Sequence, residues 1–254
     1  LTIEYDGTEY HGWQRQPAAP TIQGALESAI FRISGEQASI VGAGRTDAGV
    51  HAAAQVAHFR TQASLEAGSW TRALNAVLPA DVKVIAAETV AGAFHARFDA
   101  VGKHYRYRIL NRSAPSPLER RTSWHVPLRL NVAAMRRGAA TLIGSHDFLA
   151  FEAADPSHDA ARDTRCRLTR CSIASDGDVV IIDIEADRFL KYMVRNIVGT
   201  LVEIGLARRP AADGAHILRS RDRRRAGVTA PAHGLTLVAV RYRNPRRTGR
   251  SSGP

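Results

Sequence analysis

Apolar residues return at helical intervals in four stretches of the chain, and most of the sequence between them alternates in polarity. Ile22, Leu26, Ile30 and Ile33 share one face of a helix that Thr21 can cap. Trp70, Leu74 and Val77 mark a second helix, which follows Ser69 and stops before Pro79. Asn131 can cap a third that runs through Leu142. Phe189, Met193, Ile197 and Leu201 lie along a fourth, expected over 189–204, and a polar helix over about 211–220 follows it. Strands are expected over 1–5, 39–41, 51–59, 82–90, 101–110 and 235–242. Two more, 165–173 and 179–184, flank the turn Ser175-Asp176-Gly177-Asp178 as a hairpin.

Each half of the chain thus reads β-α-β-β-α-β, the split-βαβ order. The expected fold class is α+β: two related ferredoxin-like units with antiparallel sheets. The boundaries read from the pattern are an N-terminal unit 1–95, a C-terminal unit 96–244 and a tail 245–254. The tail is polar, rich in Arg, Gly and Ser, and expected to be disordered.

Composition narrows the function classes. Apolar residues make up 44% of the 254, as in ordinary globular chains. The longest apolar runs are broken by charges within a few residues, so no membrane span is expected. No leader opens the chain, and strand-like sequence without an initiator Met suggests a few native residues ahead of Leu1. Cys166 and Cys171 form a C-x4-C pair with no second half, which argues against zinc and for two reduced thiols. A net charge of +11 attracts polyanions, nucleic acid foremost. The excess of Arg over Lys fits a merely basic protein as well.

The chemistry concentrates in Gly42-Ala43-Gly44-Arg45-Thr46-Asp47-Ala48-Gly49-Val50-His51. Three glycines in eight residues permit close backbone approach to a ligand, and the polar trio Arg45-Thr46-Asp47 sits between them. A dinucleotide loop would need a third glycine and a following helix, and a P-loop would need Gly-Lys-Ser/Thr. His51 and His58, seven apart on a strand, face opposite ways and share no metal. No G-x-S-x-G elbow occurs. A self-contained Arg-Asp turn is the plainer alternative at this stage. In Lys103-His104-Tyr105-Arg106-Tyr107-Arg108, Tyr105 and Tyr107 share one strand face, and His104, Arg106 and Arg108 the other. That suits base stacking with phosphate attraction, or simply a half-buried edge strand. Arg195 and Asn196 are polar residues inside an apolar run; Arg195 can pair with a buried carboxylate, or serve as a solvated or helix-capping arginine.

Taken together these segments resemble the tRNA pseudouridine synthase A family. The matching pieces are Tyr5-Asp6-Gly7-Thr8 with Gly12-Trp13-Gln14-Arg15-Gln16, the loop 44–51, Asn75-Ala76-Val77-Leu78-Pro79 and Phe94-His95-Ala96-Arg97-Phe98. Tyr105-Arg106-Tyr107, Met193-Val194-Arg195-Asn196-Ile197-Val198-Gly199 and Ala230-Pro231-Ala232-His233-Gly234-Leu235 continue them in order. The resemblance implies the pseudouridine synthase fold with its active site in a central cleft, and isomerisation of uridines in the anticodon stem-loop of tRNA. It also implies a homodimer, no cofactor, no metal and a cytoplasmic location. By position, Asp47 corresponds to the catalytic aspartate and Tyr105 to the tyrosine on the target base. Arg45 corresponds to the arginine associated with base flipping, and Arg195 to an arginine near the aspartate. The departures are the short N-terminus, His104, the polar stretch 153–163 and the basic tail. The chemistry is self-sufficient: the C1′–N1 bond breaks, the uracil turns, and C1′ bonds to C5. One carboxylate serves, as nucleophile at C1′ or as base at C2′. A stacked base hides its glycosidic bond, so flipping is required. The alternative of another class is a non-catalytic protein with two RNA-binding units, which would want an aromatic RNP1 string that the chain lacks. A hydrolase around Asp47 would want a second carboxylate, for which Asp6 is the only candidate and reads as a turn residue.

Overall fold

The computed structural model describes residues 1–153 and 163–243. The expected tail, 245–254, lies outside the described residues, as does most of the polar stretch 153–163. The architecture is mixed α+β, built on a ten-stranded, largely antiparallel sheet.

The first half runs β1 (Thr2–Tyr5), α1 (Ile22–Ser34), β2 (Val41–Gly42), β3 (His51–His58), α2 (Ala67–Val77) and β4 (Val82–Ala86). Thr21 caps α1 as its sequence suggests, its hydroxyl accepting from Gly24 N at 3.2 Å. Gly35 ends the helix in the left-handed region. Helix α2 begins at Ala67, before the expected Ser69, and ends ahead of Pro79.

The second half runs β5 (Ala100–Leu110), β6 (Trp124–His125), α3 (Val132–Ala140), β7 (Gly144–Asp147), β8 (Arg165–Asp176), β9 (Val179–Ala186), α4 (Met193–Gly205), α5 (Asp213–Ser220) and β10 (Leu235–Tyr242). Asn131 Oδ1 caps α3 by accepting from Ala134 N. The hairpin of β8 and β9 turns at Gly177 and is longer than expected at both ends. Helix α4 starts four residues after the expected Phe189, because Tyr192 takes a left-handed conformation (φ 61°) and forces a break. Strands β6 and β7 have no hydrophobic alternation and were not expected.

The sheet order is β4-β1-β3-β10-β5-β9-β8-β7, with β2 on β3 and β6 on β5. The halves meet where β10 pairs parallel with β3 and antiparallel with β5. On β5, Tyr105 and Tyr107 turn into the core with Ile109, which joins the apolar sides of α1, α2 and α4. Its other face carries His104 and Arg106, both bonded to Asp183 across on β9. That face is therefore an ion-paired surface rather than a row of free cations. Among the described residues no helix is long and apolar enough to cross a membrane.

Candidate active site

The loop from β2 to β3 is clamped from beneath. Tyr5 OH and Thr46 Oγ1 lie 2.8 Å apart, and Gln55 Nε2 donates to Gly44 O at 2.9 Å. Trp13 N donates to Thr46 O at 3.0 Å, and Val50 N to Asp47 O at 3.1 Å. Gly12 (φ +87°) passes so close that a Cβ there would stand 2.6 Å from Thr46 O. Burial pushes the Tyr5 phenol up to about 12, against its hydrogen bonds to Thr46 and Gln55, so it remains a neutral support. Thr46 faces inward, whereas Arg45 is exposed and Asp47 is half-buried.

Asp47 opens into a cavity of about 990 Å³, near the upper end for ligand pockets. Tyr105 of β5, Leu235 of β10 and the turn leading into α4 complete its walls. Asp47 Oδ2 lies 3.5 Å from Arg195 Nη1. Arg195 is held in turn by Ala230 O, which accepts from its Nε at 2.7 Å, and by the Tyr192 ring 4.6 Å beneath its Cζ. The break at Tyr192 thus starts α4 where its first turn aims Arg195 at the loop. Burial raises the Asp47 carboxyl above the usual carboxylate range, while Arg195 and then Lys191 pull it back. The 3.5 Å separation is long for a charge-assisted hydrogen bond, so the carboxylate is poised by Arg195 rather than consumed by it.

Tyr105 is 7% exposed and meets Phe189 edge-on at 5.0 Å. Burial first, then Tyr5 and Asp47, push its phenol well above the usual tyrosine range. Its hydroxyl makes no hydrogen bond among the described residues, and neither does the Arg45 side chain. The four residues singled out in the sequence, Arg45, Asp47, Tyr105 and Arg195, therefore line one cavity although they span 150 positions.

Sequence reasoning assigned no role to Tyr5, Gly12, Trp13, Lys103 or Lys191. Gly12 and Trp13 stand in a quoted motif, but nothing in their types says which loop they grip. Other candidates lie elsewhere. Asp6 is the expected turn residue, accepting from Thr8 N at 3.0 Å. His51 Nδ1 lies 3.1 Å from both Gly7 N and Asp6 Oδ1, and Nε2 faces the carbonyls of Arg121 and His233. His58 packs on His95 instead. Among the described residues no three His, Cys, Asp or Glu side chains converge as metal ligands. Cys166 and Cys171 are free thiols. The arginines over 219–225, alike in sequence, do not form one cationic surface. Arg223 turns inward and donates to Asn196 Oδ1 at 2.9 Å and Thr229 Oγ1 at 3.0 Å, and Arg221 pairs with Asp147.

Comparison with known proteins places the chain in a family. The sequence model of the tRNA pseudouridine synthase family matches residues 1–99 and 139–243. Tyr105 falls between the two matched stretches. A relative from Myxococcus xanthus, named tRNA pseudouridine synthase A, is 49% identical over 98% of this chain and 94% of its own length. Relatives of the same name from Moorella thermoacetica (47% identical) and Thermoanaerobacter sp. strain X514 (45%) each cover 95% of this chain and 98% of their own.

Proposed function

Because this chain belongs to the tRNA pseudouridine synthase family, an isomerase family, we propose that it converts uridine to pseudouridine in the anticodon stem-loop of tRNA, with Asp47 breaking the glycosidic bond. The observation that carries this reading is one carboxylate, on a clamped loop, opening into a cavity shared with Tyr105 and Arg195.

Asp47 works ionised, either attacking C1′ or taking the C2′ proton on the way to a glycal; both routes need one carboxylate beside the ribose. Arg195 and Lys191 hold that ionised form against burial. Tyr105 packs against the flipped uracil. Since burial disfavours its phenolate, the hydroxyl orients the base as a neutral group. Arg45, exposed and unpaired two residues before Asp47, reaches toward the helix from which the uridine is drawn. No step of this isomerisation calls for a metal or other cofactor.

The finer fold reading belongs to the same proposal. Two ferredoxin-like units, 1–95 and 96–244, flank a central active-site cleft. With β6 and β7 set aside, the sheet paths β4-β1-β3-β2 and β10-β5-β9-β8 each run last, first, third, second strand, which supports the division. Assembly as a cytoplasmic homodimer completes the proposal, and sedimentation showing only monomer would count against it.

The test is mass spectrometry of unmodified tRNA after incubation with EDTA-dialysed protein and chemical tagging of pseudouridine. Tagged uridines in the anticodon arm, with no cofactor added, are expected. Tight binding with no tag would favour the non-catalytic RNA-binding alternative.

A further inference from the structure

Lys103 lies on β5 two residues before Tyr105 and lines the cavity of Asp47. Its side chain is laid against the catalytic loop: a Cβ on Gly44 would stand 3.2 Å from Lys103 Cε and 3.4 Å from Nζ. The bare backbone at Gly44 lets the lysine lie close against it. Arg97 lines the same cavity, its guanidinium carbon 6.0 Å from the centroid of the exposed Phe98 ring.

Neither cation has an ion-pair partner among the described residues. Burial lowers the Lys103 ammonium from its ordinary value, and Arg97 lowers it further. The cations that act on Asp47 are Arg195 and Lys191 instead. Apart from the exposed Arg45, the cations of the cavity fall into two sets. One steadies the carboxylate; the other is two like charges, one of them desolvated, facing no anion of the protein. Such an arrangement is unfavourable in the free protein and is relieved by an anion from outside.

Resting on the reading of this chain as a tRNA-modifying enzyme, we propose that Lys103 and Arg97 bind one backbone phosphodiester beside the target uridine. Arg97 supplies a planar fork of donors and Lys103 a point charge. A phosphate held there fixes the strand at the mouth of the cavity while the base enters toward Tyr105, and it stays apart from the Asp47 carboxylate, which would repel it.

The experiment is a set of anisotropy titrations across a range of salt concentrations, using wild type, Lys103→Met and Arg97→Met. The RNA is unmodified tRNA, either natural in backbone or carrying a single uncharged methylphosphonate on one side or the other of the target uridine. Each substitution is expected to weaken binding about five- to eightfold at 0.1 M salt and to reduce the log–log salt slope by about 0.7–0.9. One methylphosphonate should weaken wild type similarly while leaving Lys103→Met no weaker than before; this arm needs no mutant to fold. Weakening by inorganic phosphate alone, with both methylphosphonates neutral, would mean a free-anion site and overturn the proposal. So would unchanged affinity and slope in both variants, or a shifted pH profile of turnover with the slope intact, since Lys103 would then serve Asp47. Wild-type protein that leaves every uridine unmodified would defeat the functional reading itself. A working enzyme indifferent to these changes would defeat this site alone.

Discussion

Replacing Gly12 with alanine tests whether the segment beneath the catalytic loop sets the position of Asp47. At φ +87° an alanine is strained by about 1–2 kcal/mol. Its Cβ would also stand 2.6 Å from Thr46 O and 3.0 Å from the Asp47 carbonyl carbon, where ordinary contact begins near 3.4 Å. The clash involves backbone on both sides, so the loop must retreat by about 0.8 Å, the gap between those distances. A misplacement of about 1 Å at reacting groups costs about a hundredfold in rate. Gly35, at φ +72° with nothing within 4 Å of where a Cβ would stand, supplies the control: the same backbone strain without the clash. Urea unfolding should show Gly35→Ala losing about 1–2 kcal/mol and Gly12→Ala at least as much, the clash adding to the strain. Single-turnover isomerisation should fall about a hundredfold for Gly12→Ala and stay near wild type for Gly35→Ala. A Gly12→Ala enzyme with the wild-type rate, or equal losses in both, would refute the idea that this contact positions the carboxylate.

Three further substitutions separate the roles of neighbouring groups. Tyr105→Phe keeps the edge-on contact with Phe189 and breaks no protein hydrogen bond among the described residues, so stability should change by less than about 0.5 kcal/mol. Turnover should fall more than tRNA affinity, and the reverse would make Tyr105 only a stacking platform. Arg195→Met removes the charge that chiefly opposes the burial-raised Asp47 carboxyl. The carboxyl then rises further, and the acid limb of the single-turnover pH–rate profile should move to higher pH. A profile unmoved in pH would show that Arg195 does not poise Asp47. Arg223→Ala leaves Asn196 Oδ1, fully buried, with one donor fewer. It should cost about 1–3 kcal/mol in denaturant unfolding without altering the salt slope of tRNA binding; a flatter slope would return Arg223 to the RNA surface.

The sequence disclosed what depends on local chemistry. Thr21 and Asn131 announced their caps because a short oxygen-bearing side chain ahead of an apolar period has few other uses. Alternation along β5 told which side Tyr105 takes, since a strand has only two faces. Events that depend on distant neighbours left no local trace. Helix α4 starts late because Tyr192 is left-handed, which an apolar run cannot register. Arg195 meets Asp47 across 148 positions, a pairing that the family resemblance implied but that nothing in the local sequence of either residue announces. Arg221, Arg223 and Arg224 look alike in sequence, yet the structure turns Arg223 inward and leaves Arg224 exposed beside Asp222. Strand β7 is too polar to show its period, and its pairing with β8 supplies the order that its residues do not.

The most direct measurement is isomerisation and tRNA binding by Asp47→Asn. The amide keeps the shape of the side chain and its place on the clamped loop, but acts neither as nucleophile nor as useful base. The account predicts no pseudouridine in a tagged mass-spectrometric assay, with tRNA affinity largely intact. Pseudouridine formed by Asp47→Asn at the wild-type rate would contradict it and put the chemistry on another residue.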